Sequence, residues 1–181
     1  GWCDHPCYAD VRDWGMDELA DRLHRAGTDL LALRGALVAG EPWSLSAAYG
    51  TEPEADWGPR EVLAHVNEML GYWRRQLALV LAGDPATAVP FGRIATDAER
   101  IRRIEIDRKR PAAELLDEID ASLASAISFV DSLTSADLER RGAHPSRGEI
   151  TVGQGVAVFL TDHLEGHVVQ LREILERSDR T

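Results

Sequence analysis

The sequence is nearly without lysine and cysteine. Lys109 is the only lysine among 20 basic residues, which face 31 acidic ones for a formal net charge of −11. A chain so acid-rich repels polyanions, which argues against nucleic acid or an anionic membrane surface as partner. The arginine bias, with abundant alanine and glycine, suggests a GC-rich bacterial genome. Cysteine is confined to Cys3 and Cys7, in a Cys-x-His-x-Cys run with His5. That run has atoms for a metal site or a small disulfide loop, but no fourth ligand is spaced nearby. Residues 1–12 are therefore expected to be a flexible N-terminal extension, ahead of a single domain over 13–181. No apolar run approaches membrane-spanning length, and no signal-peptide pattern opens the chain, so a cytoplasmic protein is expected. Sustained period-two alternation and Asn-Gly turns are absent, so no strand is expected. Also missing are an internal repeat, a phosphate-cradling glycine loop and a Gly-x-Ser-x-Gly nucleophile elbow.

What the chain does have is helical periodicity. Met16, Leu19, Leu23, Ala26, Leu30, Leu33 and Leu37 alternate steps of three and four, predicting a helix over 14–39 that stops near Gly40 and Pro42. A loop rich in Glu, Pro, Ser and Gly follows, carrying Trp43, Tyr49 and Trp57. Pro59 then suits the first position of a second helix, whose stripe is Val62, Val66, Met69, Trp73, Leu77 and Val80. A second loop spans 84–95. The segment 96–110 opens with a capping box and alternates arginines with Glu99, Glu105 and Asp107, which reads as a solvated helix face. Beyond Pro111, Leu115, Ile119, Leu123, Ala126, Val130 and Leu133 predict a third long helix, and Thr151 with Gln154 is a capping box opening a fourth over 151–175. Four amphipathic helices with long connecting loops make an all-α four-helix bundle.

The histidines carry the chemistry. His163 and His167 fall one turn apart inside the apolar stripe of the fourth helix, and His65 lies beside the stripe of the second. Buried imidazoles cannot all be charged cheaply, and neutral imidazole is a good ligand for zinc-like metals. Three of them around one ion leave positions for water or substrate, the open geometry of a catalytic site. The alternative is that they are packed core residues or hold a structural ion. Glu61 and Glu68, at minus four and plus three from His65, are placed to orient it, to reach a metal or to act as general base. Gln170, one turn after His167, is placed to orient ligand or substrate. Glu165 lies about 200° around the helix from His163 and should face away. Trp43, Tyr49, Trp57 and Tyr72 are candidates for a pocket wall, whereas His24 and His144 are expected at the surface.

Trp57-Gly-Pro-Arg-Glu-Val-Leu-Ala-His65 leading into Tyr72-Trp73-Arg74, and Thr151-Val-Gly-Gln154 leading to His163-Leu-Glu-Gly-His167-Val-Val-Gln-Leu171, resemble the two signature regions of the DinB/YfiT-like metal-dependent superfamily. The resemblance implies a four-helix bundle holding one divalent ion, often zinc or nickel, on three histidines that map to His65, His163 and His167. It also implies an activity: a thiol S-transferase using mycothiol or bacillithiol as a low-molecular-weight thiol cosubstrate against a small electrophile. A metal-dependent hydrolase that detoxifies a reactive small molecule is the first alternative, and a non-enzymatic metal-binding stress-response bundle the second. Some isomerase relatives carry a carboxylate at the first position of the helix-four pair, where this chain has His163. The partner implied is a small-molecule substrate, with a homodimer left open.

Overall fold

A computed structural model of the chain describes residues 15–46 and 53–178. The N-terminal extension with Cys3, His5 and Cys7, and Tyr49 in the first loop, lie outside the described residues. The first predicted helix is two: α1 (Met16–Ala32) and α2 (Arg34–Ala39). They part at Leu33, whose amide turns back to Leu30 O at 3.0 Å, a tighter turn than the α-helix makes. Leu19, Leu23, Ala26, Leu30 and Leu37 are buried as the seam requires, but Leu33 at the break is only half-buried.

The second long helix, α3 (Pro59–Ala82), starts with Pro59 at its first turn, where a missing N–H costs nothing, and ends at Gly83. Every residue of its predicted stripe is buried. Next come α4 (Ala98–Asp107), capped by the Asp97 side chain on Arg100 N, and α5 (Ala112–Asp131). The short α6 (Ser135–Leu138) carries a capping box of its own. Thr151 accepts from Gln154 N at 3.1 Å while Gln154 Oε1 accepts from Thr151 N at 2.9 Å, so the last helical run starts where the capping box predicted. Such a cap contributes about 1 kcal/mol. The run is α7 (Val152–Gly155), a π-helical stretch (Val156–Asp162) and α8 (His163–Ser178). Widened turns of this kind occur frequently at functional sites, and this one ends at the residue before His163.

Packing closes the four long pieces into a ring: α1 against α5, α5 against α3, α3 against α8 and α8 against α1. Leu23, Leu30, Leu63, Leu70, Leu116 and Leu160, all fully buried, fill its centre. Burying each such side chain stabilises the fold by roughly 1.5–3 kcal/mol, which makes this core the main source of stability. No helix among the described residues is long and apolar enough to cross a membrane.

Three expectations are corrected here. A small sheet exists: β1 (Val89–Pro90) pairs parallel with β2 (Arg141–His144), and β2 pairs antiparallel with β3 (Gly148–Thr151). Strands of two to four residues are too short to show an alternation, so no pattern announces them. Gly148 takes the left-handed conformation (φ 71°) in the hairpin turn. The sheet in turn buries His144, expected at the surface: 5% exposed, it packs near Trp73, Phe91 and Phe159. Nor is 96–110 simply a solvated face, because Arg100 and Asp107 are buried in it and Arg108 reaches inward to Glu61.

Candidate metal centre

His65 sits in the second turn of α3, among Val62, Val66 and Met69, and is 1% exposed. His167 on α8 is 4% exposed, and His163, one turn earlier, is half-buried. The ring pairing of α3 with α8 brings the three imidazoles together, with ring centres 4.8–5.1 Å apart. Their Nε2 atoms converge: those of His65 and His163 are 3.1 Å apart.

Hydrogen bonds on the far side of two rings decide what those Nε2 atoms carry. His65 Nδ1 lies 3.1 Å from Glu68 Oε1, and Glu68 is itself ion-paired to Arg93. An ionised carboxylate only accepts, so Nδ1 holds the proton and Nε2 the lone pair. Gln170 does the same for His167. Its Nε2 donates to the main-chain carbonyls of Glu54 at 2.7 Å and Trp57 at 3.4 Å, which leaves Oε1 to accept from His167 Nδ1 at 3.0 Å. His167 Nε2 is thus an acceptor, buried and without a hydrogen-bond partner. A buried polar atom left unpaired costs about 1–3 kcal/mol, and a cation bound there removes that cost.

The fourth group is Glu54, on a short 3-10 turn (Glu54–Asp56) of the first loop. Its Oε2 is 3.8 Å from His65 Nε2, 3.6 Å from His163 Nε2 and 3.9 Å from His167 Nε2, and all four candidate ligand atoms lie within 4.8 Å of one another. Its Oε1 is ion-paired to Arg100. Burial pushes Glu54 up, but Arg100 and, in acid where they carry a proton, His65 and His163 outweigh it, so the carboxyl is held well below the usual carboxylate range. Burial likewise lowers His65, and lowers His167 further with the other two imidazoles beside it, so both rings are kept neutral. Glu68 is raised by burial, yet the hydrogen bond from His65 and the pairing with Arg93 bring it down and keep it ionised. Three imidazole nitrogens and one carboxylate oxygen form a donor set that fits a divalent transition-metal ion.

Of the two carboxylates flanking His65, only Glu68 reaches it. Glu61, fully buried, turns the other way and accepts from Ser46 N and Arg108 Nη1, both at 3.0 Å. That is a correction to its expected place beside His65: the Arg108 guanidinium, presented at the end of α4, captures it. Glu165 faces away as its helical angle requires, paired with Arg22 of α1. Trp57 meets His65 edge-on at 5.7 Å, while Tyr72 lies under the Arg93 guanidinium at 3.6 Å. Trp43 is spent elsewhere, donating to Leu37 O at 2.8 Å.

Sequence reading overlooked Glu54 and the arginines behind it. Glu54 lies in a Glu- and Pro-containing loop with no period to mark it, and its only signal is closeness in sequence to Trp57 and Pro59. Arg100 is one of several arginines in a charged helix, distinguished only by following the Asp97 cap.

The profile of the DinB superfamily matches residues 22–171. Among solved structures, the chain is similar to YfiT from Bacillus subtilis, described as "a probable metal-dependent hydrolase with an unusual four-helix bundle topology". The TM-score is 0.63 at 13% identity, over 93% of this chain and 91% of that one, a likeness of fold. No curated protein matches the chain.

Proposed function

The chain belongs to the DinB superfamily, and from that premise we propose that it is a metal-dependent enzyme activating a small nucleophile against an electrophilic small molecule. One observation carries this reading: the two most buried imidazoles have their Nδ1 sides tied to Glu68 and Gln170, so their Nε2 lone pairs are turned on one point beside His163 Nε2. His65, His163 and His167 would hold the ion. A divalent ion bound there supplies a Lewis acid that acidifies water or a thiol at neutral pH.

The protein's own groups do the rest. Arg93 and Glu68 orient His65, and Gln170 orients His167 while clamping the first loop. Trp57 and the apolar residues of α3 keep water from the rear of the site, which strengthens every charge interaction inside it. Glu54 and His163, about a quarter exposed in their side chains, form the side from which a substrate approaches.

Hydrolysis is the reading favoured by the described character of YfiT. Thiol transfer with mycothiol or bacillithiol is the second reading. In that reading the sulfur nucleophile arrives as the thiol cosubstrate. Metal-loaded protein incubated with an electrophile, with and without a low-molecular-weight thiol, separates the two. Turnover that is equal without thiol supports hydrolysis; turnover only with thiol supports transfer; none in either, with no stoichiometric metal in tag-free protein, sinks the enzyme reading.

A further inference from the structure

The position of Glu54 is more specific than that of a carboxylate near a metal site. Its Oε2 is nearly equidistant from the three Nε2 atoms, at 3.6, 3.8 and 3.9 Å. Ligand atoms bonded at about 2.0–2.2 Å around a tetrahedral ion lie roughly 3.3–3.6 Å from one another. Oε2 stands close to that spacing from all three nitrogens, which themselves lie 3.1 Å apart at His65 and His163 and within 4.8 Å overall, so it takes the fourth corner of an irregular tetrahedron around the point they share. A general base serving a bound nucleophile would stand one hydrogen bond farther out, beyond about 4 Å from the imidazole nitrogens. Only one Glu54 oxygen is offered inward, because Arg100 holds the other from behind.

We infer that Glu54 is a fourth, displaceable ligand, a carboxylate latch that closes the His65–His163–His167 site until a nucleophile or substrate takes its place. The inference rests on the metal-dependent reading and adds a resting state to it. Displaceability follows from the support of each ligand. The histidines are on α3 and α8, packed into the core, whereas Glu54 sits on a three-residue turn in a loop. Its side chain is 28% exposed, as open as His163 at 27% and unlike His65 at 2% and His167 at 5%, so it is the loop support rather than exposure that sets it apart from His163. The turn is tied to the bundle at its carbonyl by the Gln170 side chain, and the carboxylate by Arg100. Elements with few buried contacts open at low free-energy cost. A site closed by four protein ligands is structural in character, and release of Glu54 converts it to an open catalytic one.

The test uses the full chain, its Glu54→Ala and Glu54→Gln variants, and His163→Ala as control, each loaded with Co(II). Wild type is expected to bind one ion and to show the intense visible absorption of a four-coordinate site. In Glu54→Ala, Co(II) affinity, read by chelator competition, should fall at least ~10-fold. Its spectrum should change, and azide should perturb it at concentrations at least ~10-fold lower than in wild type. Glu54→Gln should lie between the two. Unchanged affinity and azide response in both Glu54 variants would overturn the latch while leaving the three-histidine site intact. Wild type that binds no stoichiometric Co(II) would overturn both together.

Discussion

Gln170 donates from its side-chain amide to the main-chain carbonyl of Glu54 at 2.7 Å, across 116 positions of sequence. The same amide's oxygen accepts from His167 Nδ1 at 3.0 Å. One side chain on α8 therefore sets the tautomer of a candidate ligand and anchors the loop that brings in Glu54. A bond to the main chain survives any change of the Glu54 side chain, so the two roles can be dissected.

Gln170→Leu keeps roughly the same volume and removes all three of its side-chain hydrogen bonds, to His167, Glu54 and Trp57. It should weaken metal binding by roughly 10–100-fold, as loss of a group orienting a ligand histidine does, and lower stability by about 1–3 kcal/mol through the buried partners left unpaired. Chelator competition and urea denaturation measure the two effects. Unchanged affinity would show that the amide is only a structural clamp.

Metal should stabilise the fold by mass action. Zn(II) or Ni(II) at a hundred times its dissociation constant contributes about 2.7 kcal/mol, a rise of roughly 5–10 °C in melting temperature for a chain of this size. His65→Gln and His163→Ala should abolish the rise. Calorimetry with and without metal reads it, and an equal rise in the variants would place the ion elsewhere.

The apo protein should lose stability as it is acidified through the imidazole range. Burial holds His65 and His167 below the ordinary value of about 6.5, so the unfolded chain binds protons that the folded chain refuses. Stability therefore climbs with pH up to about 6.5 and levels off above it. Glu118, held at about 2 by Arg110 and then Asn67, acts lower: its contribution is full above about 4.5 and is lost on the way to 2. Urea midpoints in chelator from pH ~5 to ~8 test the imidazole part, and a flat profile between ~5.5 and ~6.5 would contradict it.

His144 is a buried histidine with a different task. Its Nδ1 accepts from Ser146 N at 3.3 Å, and its ring lies near-parallel to Phe159 at 5.1 Å. His144→Ala should open a cavity costing about 2–4 kcal/mol and leave the bound-metal stoichiometry at the wild-type value. Denaturation alongside metal analysis separates these outcomes, and loss of metal in a folded variant would count against a purely packing role.

Much of this molecule is written in local pattern. The three- and four-residue spacing of apolar side chains places α1, α3, α5 and α8. Pro59 and the Thr151–Gln154 box start two of the helical runs, because caps and periodicity depend on residues within one turn of each other. His163 and His167 on a buried face, and His65 beside another, are legible for the same reason. What only the tertiary structure decided depends on distance in sequence. Glu54 joins the histidines because Gln170 and Arg100 pull a patternless loop onto the bundle. Glu61 leaves His65 because Arg108 waits on its other side. His144 is buried because strands too short to announce themselves fold it onto Trp73 and Phe159. A charged or polar side chain in a loop has no periodicity to betray its partner, and the partner exists only once the helices have packed.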